Sequence, residues 1–498
     1  MAEQGRRYIA LDFGAESGRT IVGTIAHDKL TVEPVHRYPN VPVRMGGTLY
    51  WDFPRQFGDI LDGLRKASAD GPVHSVSVDT WGVDYGYLDA RGRLIGNPVH
   101  YRDTRHETMP EEAFKVIPRD ELYMATGIQF MSINTLFQML SEVKAEDPIL
   151  EQAETFLMMP DIFNHFLCGV DVAEYTEATT GQTVDPWTKD WARPILERLD
   201  IPTHFLPEIV QPGTELGTLL NEVADATGCK GATVVAGASH DTPSAVAAVP
   251  LAGRSTAYIS SGTWSLVGLE VDEPVVTEAA LAANVTNEGG YDGTITLLKN
   301  CMGLWPVQQS RKALWPGEGA PSYEEICQLA GDGPQWTAFI DPDDPRFLWP
   351  GDMPTRIRQY CEETGQPVPL ETATLFRVIF ESLALKYTWV VDKLSAVTGT
   401  EIERIHIVGG GSQNELLCQM TANASKREVV AGPVEATAIG NISIQAITSG
   451  ELADLGQARE LIARSFPMKT YQPKGFFWRE ARERFEALMT RNAGSHES

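Results

Sequence analysis

The sequence predicts an α/β protein of two domains, and three observations predict it. At 498 residues the chain exceeds the roughly 250 to 300 residues at which a single hydrophobic core stops growing. Short apolar runs that read as strands alternate with segments of helical period, the pattern of an α/β layer architecture. A strand, a turn of small residues and a returning strand occur at residues 8–25 and again at 255–269, so the second half repeats the first in kind. The expected division is 1–248 and 249–498.

The elements follow in order. Tyr8 to Phe13 is an apolar strand carrying Asp12 near its end; Gly14 to Arg19 turns, and Thr20 to Ile25 returns as a hairpin. His74 to Val78 reads as a buried strand ending at Asp79, and Val83 to Leu88 as the first arm of a hairpin turning at Asp89-Ala90-Arg91-Gly92. Helical spacing covers Pro110 to Lys144 and Asp161 to Cys168. Gly231 to Ala236 is a strand that opens into Gly237-Ala238-Ser239-His240-Asp241-Thr242, with Pro243 where a helix begins. Ser255 to Ile259, the turn Ser260-Ser261-Gly262-Thr263 and Trp264 to Leu269 form the second hairpin. A long helix spans Thr372 to Val397; the strand Ile405 to Val408 opens into Gly409 to Asn414, and a helix follows from Glu415 to Ala424. Asp341 to Pro345, dense in turn formers and charge, reads as a surface loop, as does Pro467 to Gly475 before a terminal helix.

Composition narrows the function classes. A formal net charge of -26, with no local run of Lys or Arg, repels nucleic acid and anionic lipid, so neither is an expected partner. A phosphate ligand would need backbone N–H groups, a metal and one or two local cations instead. The polar segment Met1 to Arg7 lacks the pattern of a signal peptide, and no run of 18 apolar residues occurs. The six cysteines are scattered, which reads as reduced core thiols of a cytoplasmic protein.

Five segments carry chemistry. Gly14 and Gly18 allow positive φ, so that the N–H groups of the first turn converge on a phosphate while Arg19 adds charge and Asp12 holds a hydrated Mg²⁺; the alternative is an ordinary hairpin with a solvated Asp. Ser260 to Thr263 offers the same device with hydroxyls. Gly409 to Asn414 departs from G-x-G-x-x-G because Asn414 replaces the last glycine, which disfavours a dinucleotide site, and no P-loop sequence occurs. Gly237 to Asp241 superficially matches G-x-S-x-G with Ser239 as nucleophile, but Asp241 replaces the closing glycine and adjacent His240 is badly placed to serve Ser239. Asp241 suits a general base, or else a simple helix cap. Trp81 to Asp84 and His100 to Asp103 mix aromatic and polar side chains as sugar sites do.

These segments stand in the order found in the FGGY carbohydrate kinases, relatives of actin and hexokinase, and the chain resembles that family from Leu11 to about Asn441. The resemblance implies two actin-like, ribonuclease H-like α/β domains with the active site in a cleft between them, a monomer or homodimer, and ATP with Mg²⁺ as cofactors. Asp12 to Arg19 is similar to the first phosphate loop, implying ATP contacts at Ala15, Glu16, Ser17, Gly18 and Arg19. Asp79 to Asp84 implies a sugar contact at Gly82. Ser239 to Thr242 implies sugar contacts at His240 and Thr242 and proton acceptance at Asp241. Ser260 to Ser265 implies Thr263 towards ATP; Leu298 to Trp305 implies Asn300 on the sugar and, further along, Gln308 on the nucleotide; Gly409 to Asn414 implies Gly410 at the adenosine. The Ser-His-Asp-Thr and Leu-Lys-Asn-Cys-Met-Gly-Leu-Trp segments look most like the members that act on L-rhamnulose, ahead of L-fuculose, L-ribulose or D-xylulose. A non-catalytic sugar or nucleotide sensor is the rival class. Glu16 departs from the small hydroxyl residue often found there, and Ala422, four residues after Cys418, precludes the C-x-x-x-C pairing of some members.

Overall fold

The Tyr8 to Ile25 hairpin is the centre of a larger sheet. In the computed structural model, which describes residues 5–250, 255–475 and 478–495, β1 (Arg6–Phe13), β2 (Ser17–Ala26), β3 (Lys29–Pro39), β4 (Ser75–Asp79), β5 (Thr214–Thr218) and β6 (Thr233–Ala236) form one sheet in the order β5-β6-β4-β1-β2-β3. Met1 to Gln4 of the polar N-terminal segment and residues 251–254, at the expected restart of the pattern, lie outside the described residues. β4 runs parallel to both β1 and β6, whereas β1-β2-β3 is an antiparallel meander. The parallel strands are buried along almost their whole length, β4 on both faces even though Ser75, Ser77 and Asp79 alternate with its valines. Ile9, Leu11, Val76, Val78 and Val234 are fully buried there, packed with Ile60 and Leu64 of the Phe53–Ser68 helix and Ile162 and Phe163 of the Met159–Cys168 helix.

By contacts the chain forms two units that are not continuous in sequence. The first comprises Met1–Pro250, Glu270–Leu297 and Ala436–Phe466; the second Leu251–Leu269, Leu298–Glu435 and Pro467–Ser498. In the first, the Ala436–Thr448 helix lies on the sheet. Its Gln445 donates to the Ile9 carbonyl at 3.0 Å and accepts from the Ser75 hydroxyl at 2.6 Å, and its Asn441 donates to Asp79 at 2.6 Å. The division expected at 248/249 follows chain order; a helix that packs on a distant strand cannot be assigned to that core by periodicity alone.

In the second unit β7 (Thr256–Ser261), β8 (Trp264–Val271), β9 (Ile295–Met302), β10 (Arg404–Val408), β11 (Glu428–Ala431) and β12 (Lys469–Tyr471) follow the order β9-β8-β7-β10-β11-β12, with β7 parallel to β10 and β10 parallel to β11. The 27-residue Thr372–Thr398 helix packs with the Glu415–Ser425 helix beside it.

Three expectations are corrected. Tyr85–Leu88 takes its ladder partner from Thr155–Met158, antiparallel, while the residues after the 89–92 turn return only as a short bridge, Leu88 opposite Leu94 with Ile95 N donating to the Tyr87 carbonyl at 2.8 Å, because Gly96 at positive φ and Pro98 do not continue a ladder. Asp341 is not on the surface: it is 7% exposed, and it and Asp343 hold the buried Lys386 ammonium at 2.9 and 2.8 Å, an arrangement in which each charge compensates the other's desolvation. Residues 467–475 contain β12. All six cysteines are free, and no described helix is long and apolar enough to cross a membrane.

Candidate active site

In the first unit three parallel strands end together. Asp12 and Asp79 are register partners at the carboxyl ends of β1 and β4. The chain leaving β6 is drawn to the same edge: Thr80 N donates to the Ser239 carbonyl at 2.8 Å, and Asp241 N donates to the Thr80 carbonyl at 2.9 Å. Carboxylates at positions 12, 79 and 241 therefore share the strand ends where open α/β sheets bind ligands. Asp241 opens the Asp241–Ala247 helix with His240 as its N-cap residue. Among the described residues no group of three or more His, Cys, Asp or Glu side chains is placed to hold a metal ion.

Burial dominates the electrostatics. Asp79 is fully buried and held well above the usual carboxylate range, first by desolvation and then by Asp12, with the Asn441 amide opposing. Burial also raises Asp241, which His240 counteracts. The Asp241 side chain is about one-third exposed (36%), while that of Asp12 is 4% exposed and ion-paired to Arg19, its cross-strand partner. His240 lies between two carboxylates: Nε2 is 3.4 Å from Asp241 Oδ1 and Nδ1 is 3.3 Å from Glu288 Oε2. Thr242 donates to Asp241 Oδ1 at 3.2 Å.

The Gly14–Arg19 turn lies where expected but is shorter, Gly14 to Glu16, because Ser17 already begins β2, and its mechanism differs. Neither Gly14 nor Gly18 has positive φ. Gly18 is required for close approach, since a Cβ there would lie 2.1 Å from the ring of Tyr38, its partner across β2 and β3. The turn is buttressed from outside: Asn40 N donates to the Glu16 carbonyl and Asn40 Nδ2 to the Gly14 carbonyl, both at 3.0 Å, and Gln56 holds the Asn40 side chain. Ala15, Glu16 and Ser17 thus present backbone on a frame supplied by β3 and the Phe53–Ser68 helix.

Gly82 is pressed against Thr180, which a Cβ would approach to 2.9 Å, and Val83 N donates to the Thr180 hydroxyl at 2.9 Å. Val83 itself has φ 72°, a strained conformation for a β-branched residue. The two aromatic-polar segments prove to be one cluster. Trp51 packs on both Trp81 and His100 with centroids 4.1 and 4.0 Å away, and buried Asp84 accepts from Trp51, Trp81, Gln138 and Tyr101 N. Ser239 does not have the surroundings of a nucleophile: its hydroxyl is buried without a hydrogen-bond partner, and both nitrogens of His240 face carboxylates.

In the second unit the remaining predicted residues gather around the β7–β8 turn. Thr263 and Gln308 lie in hydrogen-bond contact at 3.3 Å. Gly303, just after half-buried Asn300 on β9, fits where a Cβ would come within 2.5 Å of the Trp264 backbone, and its N–H donates to the Thr263 carbonyl. Gly409 (φ 78°) and Gly411 close onto Ser261, whereas a Cβ on Gly410 would meet nothing within 4 Å. Bare backbone at Gly410 thus faces open space.

Sequence reasoning passed over the place of Glu288 beside His240 and the burial of Asp79 against Asn441. Asp79 was legible as a strand-end carboxylate; Glu288, in Thr-Asn-Glu-Gly-Gly, carried no local signal.

Residues 7–248 match the N-terminal domain, and residues 257–449 the C-terminal domain, of the FGGY family of carbohydrate kinases. The chain is 45% identical to a rhamnulokinase of Bacteroides thetaiotaomicron over 94% of its own length and 96% of the relative's. It is 40% identical to a rhamnulokinase of Pectobacterium carotovorum subsp. carotovorum over 97% and 96%. A ligand-bound xylulose kinase of Lactobacillus acidophilus, 16% identical, shares the fold with a TM-score of 0.79 over 98% of each chain. With both family domains matched, in order, across the segments that carry Asp12, Asp241, Thr263 and Gly410, the chain belongs to the FGGY carbohydrate kinases.

Proposed function

We propose that this chain transfers the γ-phosphoryl group of ATP to the O1 hydroxyl of L-rhamnulose, with Asp241 accepting the hydroxyl proton. The chemistry is supported above all by the place of Asp241: a partly exposed carboxylate at the ends of three parallel strands, beside Asp12. The choice of ketose is supported by full-length likeness to rhamnulokinases at 38–45% identity. His240, Thr242, Gly82 and Asn300 are the sugar contacts in this reading.

Phosphoryl transfer demands little covalent chemistry from the protein and much positioning. The first turn, Ala15 to Arg19, and Thr263 of the second supply N–H, hydroxyl and guanidinium donors; Arg19 is the local cation that a strongly acidic chain needs. Gln308 and Gly410 serve the nucleoside end. A divalent cation arriving with the triphosphate would be held by Asp12 through water and would neutralise phosphate charge. Asp241 orients the acceptor alcohol and takes its proton as the oxygen–phosphorus bond forms.

An ADP-release assay across L-rhamnulose, L-fuculose, L-ribulose and D-xylulose is expected to give the highest kcat/KM for L-rhamnulose. A larger value for another ketose overturns the substrate; ADP release indifferent to every ketose overturns the kinase reading in favour of a sensor. Gln308→Ala is expected to raise KM for ATP roughly tenfold with little change in kcat, as loss of uniform binding does. An unchanged KM for ATP removes Gln308 from the nucleotide site.

A further inference from the structure

We infer that Glu288 is a positioning residue for phosphoryl transfer: it holds His240 as an imidazolium whose Nε2–H fixes Oδ1 of Asp241 and leaves Oδ2 to accept the sugar proton. The inference rests on the reading of Asp241 as the base.

The geometry carries it. A neutral imidazole has one N–H and one lone pair, so it can satisfy a carboxylate on only one of its nitrogens. His240 has one at ion-pair distance from each, Glu288 Oε2 at 3.3 Å and Asp241 Oδ1 at 3.4 Å, and its buried Nδ1 has no other hydrogen-bond partner among the described residues. The histidine side chain is 7% exposed and the Glu288 side chain 4%, so water is a poor substitute for either partner. The ring is also held from its backbone, where His240 N donates to the Thr176 hydroxyl at 3.3 Å. Glu288 sits on the short strand Thr286–Gly289, whose Gly289 N donates to Thr179 at 2.8 Å. Backbone contacts therefore fix both ends of the pair. On Asp241, His240 and Thr242 both engage Oδ1; Oδ2 is the oxygen assigned to the reaction.

The consequence is electrostatic as well as geometric. Carboxylates face the pair from several elements: Asp12 from β1, Asp79 from β4, and Glu174 and Glu177 from residues 173–178, with Arg19 as the nearby cation. In that surrounding a buried carboxylate tends to keep its proton, and a protonated base is inert. Burial favours neutral His240, but Glu288, with Asp241 and Glu174 adding to it, outweighs burial and raises the imidazole above its ordinary range. The imidazolium in turn opposes the rise at Asp241, and does so more strongly than the Glu288 charge itself adds to that rise. Glu288 thereby keeps the base ionised without touching substrate.

The test pairs ring spectra with pH profiles. In protein labelled with ¹⁵N at its histidine rings, and with His240 assigned by loss of its signals in His240→Gln, the wild type at pH 7 is expected to show both ring nitrogens protonated. Glu288→Gln, which keeps an oxygen of similar shape but no charge, is expected to show one. Its kcat/KM for L-rhamnulose is expected to fall about tenfold at pH 7, the lower range for loss of a buried supporting partner. The acid limb should move to higher pH, so that activity recovers towards the wild type as pH rises. Glu288→Asp is expected to restore both signatures in part. A neutral His240 in the wild type, an imidazolium that survives Glu288→Gln, or a profile lowered uniformly at all pH values overturns the assignment. A wild type that phosphorylates no ketose overturns the substrate reading instead, while the ring spectra still decide the Glu288–His240 pairing.

Discussion

Asp241→Asn is expected to bind ketose and ATP with near-normal affinity while kcat falls roughly 100-fold or more, the scale of general-base loss. The amide has the size of the carboxyl and can still receive the Thr242 hydroxyl bond, so the helix start and the strand-end geometry persist. What it cannot do is take a proton from an attacking oxygen. Steady-state kinetics with calorimetric titration of both ligands checks this. An Asn variant with unchanged kcat would assign the base elsewhere, and one that loses ketose binding as well would make Asp241 a structural anchor. The direction with pH follows from the same residue: burial raises Asp241, so kcat/KM should fall on acidification at a higher pH than an exposed aspartate would give, because the proton that inactivates the base is held more firmly.

Gly440→Ala should cost about 1–3 kcal/mol or more, the usual range for overpacking a core, and should reduce kcat without a matching change in KM. A Cβ on Gly440 would stand 1.8 Å from the Ser244 carbonyl oxygen and 3.4 Å from Ala247 Cβ. The obstacle is backbone, which cannot rotate away. Relief requires parting the Ala436–Thr448 helix from the Asp241–Ala247 helix, where the Ser244 hydroxyl also bonds the Thr437 carbonyl at 3.0 Å. Such a displacement strains the first turn that presents Asp241. Gly58→Ala is the control: it lies within the Phe53–Ser68 helix, a Cβ there meets nothing within 4 Å, and the change should stabilise by about 0.5–1 kcal/mol. Urea unfolding of both variants beside kinetics measures the two effects. Equal stability of the Gly440 and Gly58 variants would show that the helices separate without penalty.

What was legible in the sequence shared one property: its cause was local. Asp12 and Asp79 each stand at the end of a short strand pattern, and Asp241 follows one after the small residues Gly237-Ala238-Ser239, so strand, exit and carboxylate are all written within about ten positions. The helix Thr372–Thr398 is likewise stated by its own period. What was not legible depends on partners far along the chain. Asp341 looked solvated because Lys386, which neutralises it, is 45 residues away. Glu288 has no motif; its meaning comes from His240, and the contact joins segments 48 positions apart. Gly18 was recognised as necessary for a wrong reason, since the constraint is the Tyr38 ring on the next strand and not backbone handedness. The membership of residues 436–466 in the first unit is the extreme case.

That membership bears on biosynthesis. At translation rates of about 5–20 residues per second, on the order of ten to forty seconds separate the emergence of residue 250 from that of residue 436. Throughout that interval Ile9 O, Ser75 and Asp79 lack the amides of Gln445 and Asn441 that later bond them, and the face of β4 that carries Ser75, Ser77 and Asp79 stands without its helix. The packing around the Asp241–Ala247 helix is therefore completed only after the Ala436–Thr448 helix has been made.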